Sequence, residues 1–103
     1  MTYKIELAET AKADLREATR WIRDETSPAA ADQWLAGLLK AANTLKKHPL
    51  RCPLAAESDK FPEDIRLLLH GKRHKKYRII FTIRGDTVVI LYVRHTSRDE
   101  LEP

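Results

Sequence analysis

The hydrophobic period of this chain changes from that of a strand to that of helices and then back to that of strands, and this order leaves few folds open. Tyr3-Lys4-Ile5-Glu6-Leu7 alternates apolar and polar residues, as a half-buried strand does. Ala11, Leu15, Ala18 and Ile22 then recur at steps of four, three and four, while Lys12, Arg16, Glu17, Arg20 and Arg23 fall on the opposite side. That spacing predicts an amphipathic helix from about Thr10 to Glu25. Ser27-Pro28 starts a second one, because the serine hydroxyl accepts from orphan N–H groups of a first turn and proline fits where no N–H is needed. Ala31, Trp34, Leu35, Leu38, Ala41, Ala42 and Leu45 form its apolar stripe, Lys46, Lys47 and His48 suit its C-terminal end, and Pro49 stops it. With so short a break between them, the helices must fold back as a hairpin.

After an irregular, proline-marked connection of about fifteen residues, alternation returns. Ile65 to His70, Tyr77 to Ile83 and Thr87 to Val93 read as strands two, three and four, with Gly85-Asp86 as a two-residue hairpin turn. Strand four is apolar on both faces, which places it centrally with cover on each side. The predicted fold class is α+β, in the order β-α-α-β-β-β, with a helical hairpin on one face of a mostly antiparallel four-stranded sheet. A chain of 103 residues fits one domain spanning 1–103.

Charge is distributed unevenly. Residues 1–65 carry a net −1, residues 66–84 carry +7 with no acidic residue, and residues 85–103 carry −2. If Tyr77, Ile79, Phe81 and Ile83 pack against the helices, then Arg78, Ile80, Thr82 and Arg84 face away from them. Alternation would also put Arg66 and His70 of strand two, and Ile90, Tyr92 and Arg94 of strand four, on that open face. Arg66, Arg78 and Arg94 would then converge beside Lys72, Arg73, Lys75 and Lys76 of the preceding connection. Such a surface suits a polyanion, since each cation that neutralises a phosphate releases condensed counterions. The competing reading of the connection is a solvated charged turn.

Other candidates are weaker. His95, beside Arg94, is placed either to donate and accept protons near neutral pH or to act as a hydrogen-bonded structural histidine. His70 and His74 lack the spacing and the carboxylates of a metal site, so no metal or cofactor is expected. The lone Cys52 has no partner for a disulfide or a zinc site and reads as a filler or surface thiol. Trp21 and Trp34, on the two helices, read as core residues rather than base-stacking platforms. No apolar run reaches a bilayer span and no signal region opens the chain, so a cytoplasmic location without membrane association is expected.

Ala11-Lys12-Ala13-Asp14-Leu15, Lys76-Tyr77-Arg78-Ile79-Ile80-Phe81, Thr87-Val88-Val89-Ile90-Leu91 and Arg94-His95-Thr96-Ser97-Arg98-Asp99 together resemble the RelE/ParE superfamily of toxins of type II toxin–antitoxin and plasmid-stabilisation modules. The resemblance covers nearly the whole chain in the matching element order. It implies a growth-arresting toxin held in a hetero-oligomer by a cognate antitoxin, whose extended segment folds on binding. RelE-like members cut mRNA in the ribosomal A site, whereas ParE-like members poison DNA gyrase without being nucleases.

Arg78 matches an arginine that RelE-like toxins place on the scissile phosphate, and Arg98 lies near a second. The preferred reading is therefore a metal-independent mRNA interferase. In it Arg78 and Arg98 stabilise the pentacovalent phosphate, His95 is the acid or base, and Arg66, Lys72, Arg73, Lys75, Lys76 and Arg94 hold the RNA. On that reading Arg78→Ala should abolish cleavage and spare the fold. The pattern departs from RelE-like chains in two places: strand two lacks their lysines, and Asp99-Glu100-Leu101-Glu102-Pro103 lacks the Tyr or His that often serves as base. The alternative reading is a ParE-like, non-enzymatic gyrase inhibitor.

Overall fold

The computed structural model describes residues 2–71 and 76–96. Its elements follow the predicted order: β1 (Lys4–Leu7), α1 (Glu9–Glu25), α2 (Pro28–Asn43), β2 (Arg66–His70), β3 (Tyr77–Arg84) and β4 (Thr87–His95). The strands lie in the order β1-β4-β3-β2. The β1–β4 pair is parallel, while β4–β3 and β3–β2 are antiparallel. β4 is thus an inner strand, as its two apolar faces require.

Local chemistry sets the element ends. The Ser27 hydroxyl accepts the Ala30 N–H at 3.0 Å with Pro28 in the first turn, so the break between the helices is only two residues long. α2 ends at Asn43, earlier than Pro49, and the chain continues through single 3₁₀ turns at Thr44–Lys46 and Pro49–Arg51. The tighter turn still buries Leu45 completely. At the β3–β4 hairpin Gly85 has φ +61°, a conformation glycine adopts without steric cost.

α1 and α2 cover one face of the sheet. Leu15, Leu38, Leu45, Ile79, Phe81, Val88, Ile90 and Val93 fill the core between them, and the Cys52 thiol is buried in the same cluster. Burial pushes that thiol up from its ordinary value, and Arg51 and Arg66 pull it partly back. Trp34 packs against this core, its ring 4.9 Å from that of Tyr77. Trp21 does not pack there: it is 61% exposed, on the side of α1 toward the end of β4.

The opposite sheet face is covered as well, and this corrects the expectation of an open basic surface. The connection between α2 and β2 first pairs with the outer edge of β2, where Ala55 N–H donates to Ile65 O and Leu67 N–H to Pro53 O. It then crosses the sheet as a strap. Ala55, Ile65 and Ile80 form a second small core with Phe61, Leu67, Leu91 and Tyr92 around it. Every outward residue of β3 is used to hold the strap. Arg78 pairs with Glu57, Ile80 packs in the small core, the Thr82 hydroxyl donates to Asp64 O, and Arg84 donates to Glu63.

Glu63 supplies a pH-dependent part of this closure. The hydrogen bond from Arg84 holds its carboxyl below the ordinary carboxylate value, against a smaller opposing effect of burial. A carboxylate lowered on folding stabilises the protein fully above its unfolded pKa and stops doing so as pH falls through its folded pKa. Glu63→Gln should therefore lower the urea midpoint at neutral pH, and its midpoint should converge with that of the wild type in acid below the folded Glu63 value. The effect is modest because the pair is solvent-screened.

Candidate functional site

Two details of strand pairing decide where the predicted site residues lie. β2 pairs so that Arg66 is opposite Phe81, Leu68 opposite Ile79 and His70 opposite Tyr77. Arg66 and His70 therefore share the helix-facing side, not the face of Arg78, and α2 packs over His70 at Gly37. The Arg66 guanidinium donates to Cys52 O at 2.7 Å. Alternation within strand two showed which residues share a face, but only the antiparallel register shows which face that is.

The second detail is a register shift between Ile80 and Phe81, opposite an extra residue in β4. Phe81 faces Ile90 and Ile80 faces Tyr92, which leaves Leu91 between them. The extra residue reverses the alternation. Ile90 consequently joins the helix-side core while Tyr92 borders the strap-side one, which corrects the placement of Ile90 on the open face.

Arg78 and Arg94 are directly opposite each other in the ladder, yet their side chains are drawn apart. Arg78 is 12% exposed and ion-paired with Glu57, whose side chain has no exposed surface. Arg94 turns around the sheet edge to Asp14 of α1, with Nε 3.1 Å from Oδ2, and its guanidinium carbon is 5.3 Å from the centroid of the Tyr92 ring. The predicted convergence of Arg66, Arg78 and Arg94 is therefore absent: three arginines meet three separate acceptors. Glu57 was not legible as a site residue, since one acidic residue in an irregular segment carries no period and no motif.

His95 lies at the end of β4 opposite Tyr77, with the two rings 5.2 Å apart and edge-on. Lys76 is exposed at the start of β3, and its carbonyl accepts the Thr96 N–H. Lys72, Arg73, Lys75 and Arg98 lie outside the described residues. The cavity at this end of the sheet is a groove of about 330 Å³ between α1 and β4, with Ala18, Trp21, Tyr77 and Val93 as its apolar lining and Asp14 and Arg94 at one side. Apolar walls, an exposed tryptophan and a rim of paired charges make a surface suited to a protein segment. Among the described residues no three His, Cys, Asp or Glu side chains group as metal ligands.

The model of the ParE toxin of type II toxin–antitoxin systems, parDE, matches residues 5–100. The chain belongs to the ParE toxin family. Its partner as a family member is a cognate antitoxin. Its fold is also that of a solved structure described as the chromosomal ParDE toxin–antitoxin system from P. aeruginosa, with a TM-score of 0.74, 16% identity, and coverage of 91% of this chain and 96% of that one. No curated protein sequence matches. No described helix of this ParE-family toxin is long and apolar enough to cross a membrane. The family match favours the ParE-like reading over the mRNA interferase preferred from sequence.

Proposed function

We propose that this ParE-family toxin arrests growth by binding a protein target, DNA gyrase, and not by cutting mRNA. The observation that carries this reading is the occupied second face of the sheet. The arginine best placed by sequence for a scissile phosphate, Arg78, has a buried carboxylate as its partner, and the strap also holds Ile80, Thr82 and Arg84, the next outward residues of β3. Metal-free phosphodiester cleavage needs cations presented to the pentacovalent phosphate, and a guanidinium whose charge is already paired with the buried Glu57 carboxylate is a poor donor to one. The α1–β4 groove, by contrast, offers the apolar and aromatic surface on which protein interfaces concentrate their binding energy.

Purified gyrase should lose supercoiling activity, or accumulate cleaved DNA, on titration with the wild-type toxin. Messenger RNA in a reconstituted translation system should keep its 5′ ends at saturating toxin. Gyrase unaffected at saturation would overturn the reading, and new toxin-dependent 5′ ends would restore the interferase.

A further inference from the structure

Of the sequence stretch Ala11-Lys12-Ala13-Asp14-Leu15, Ala11 and Leu15 are core residues, but Asp14 is not. It is a carboxylate with 13% of its side chain exposed, on the side of α1 that faces the sheet. Its surroundings give it a specific task. β1 ends at Leu7, opposite Ile90, so among the described residues no strand lies beside the last five residues of β4 on that edge. α1 takes over the edge with its own groups. Ala8 N–H donates to Ile90 O at 2.9 Å, the Thr10 hydroxyl donates to Leu91 O, and Asp14 Oδ2 accepts the Val93 N–H at 2.9 Å.

The same Oδ2 accepts from Arg94 Nε. Like charges directly opposite on paired strands repel, and Arg78 and Arg94 are such a pair. Glu57 draws the first guanidinium under the strap, and Asp14 draws the second around the edge toward α1. Among the described residues, loss of Asp14 would leave Arg94 the ring of Tyr92 and the repulsion of Arg78. We infer that Asp14 is a positioning residue: with one oxygen it closes the open half-edge of β4 and fixes the Arg94 guanidinium beside the groove through which the toxin engages its target. The inference rests on the reading that the toxin acts by protein contact at this end of the sheet.

Two isosteric changes separate the two bonds. Asp14→Asn keeps a carbonyl for the Val93 N–H and removes the charge that holds Arg94, whereas Arg94→Gln removes the guanidinium and leaves the Asp14–Val93 bond. Loss of a charge-assisted bond corresponds to about tenfold or more in an equilibrium. Both variants should therefore need about tenfold more toxin than wild type for half-maximal growth arrest, a larger loss than any fall in the folded fraction read from the urea midpoint, with a protected Val93 amide. The double variant should lose no more than either single one, since both remove the same coupling. Asp14→Ala should in addition speed exchange of the Val93 amide by about tenfold, while the Val88 amide, inside the ladder, keeps its protection.

Wild-type growth arrest by Asp14→Asn at equal protein level would overturn the positioning role, as would additive losses in the double variant. Should Asp14→Asn prove unstable, Arg94→Gln still decides: full arrest by that variant overturns the inference. Failure of the gyrase assay would remove the proposed target without touching this result, because growth arrest and amide exchange are read independently of which protein is poisoned.

Discussion

Arg78→Ala should cost about 3–5 kcal/mol of folding stability, the usual consequence of removing one partner of a buried ion pair, and a urea titration at neutral pH should show it as a lowered midpoint. The cause is the charge left behind. Glu57 has no exposed side-chain surface, so without the guanidinium its carboxylate either stays ionised with weaker compensation in a poorly solvated site or takes up a proton. Both are unfavourable. The expectation from sequence was the opposite, a strand arginine that alanine could replace without harm to the fold. The strap argues against that expectation, because it leaves only 12% of the Arg78 side chain exposed. Loss of growth arrest in this variant would therefore say nothing about chemistry at Arg78.

A paired replacement separates the two effects. Glu57→Leu combined with Arg78→Met removes both charges and keeps apolar volume beneath the strap, and such exchanges are often neutral or stabilising. The double variant should recover most of the stability lost by Arg78→Ala and still arrest growth, because the proposed mode of action makes no use of the guanidinium. A stable double variant that is inert would return Arg78 to the functional site.

The same pair shows how much of this protein could be read from its residues. Element order, the Ser27 cap, the Gly85 turn and the inner position of β4 all follow from local periodicity and turn chemistry, where neighbours in sequence are neighbours in space. What failed needed contacts distant in sequence. Arg66 was assigned the wrong face because register belongs to the β2–β3 pair and not to β2. Ile90 was misplaced by one extra residue at Leu91, which leaves no mark on a strand already apolar on both sides. The covered face was missed because the segment 47–64 has no regular period, although it supplies Glu57, Glu63 and the Asp64 carbonyl to β3. Asp14 was visible in a family-like stretch, but its purpose depends on where β1 stops.

Phe81→Ala should lower stability by about 3–5 kcal/mol, the range for truncating a fully buried phenylalanine. Phe81 has no exposed surface and stands in β3 between Ile90 of β4 and Arg66 of β2, beneath the helical hairpin. Its neighbours come from separate elements of one ladder, so they cannot close the cavity without moving the sheet. Against a total stability of roughly 5–15 kcal/mol for a domain of this kind, the loss is large enough to reduce the amount of folded toxin in a cell. Growth arrest should fall in step with the urea midpoint, with no change in the denaturant slope. Trp21→Ala is the informative contrast. With 61% of Trp21 already in water, its removal should shift the midpoint far less, yet it deletes an exposed aromatic residue from the wall of the α1–β4 groove. A core residue and a contact residue are then told apart by the ratio of two losses: arrest that falls only as folding does marks Phe81, and arrest that falls while folding holds marks Trp21.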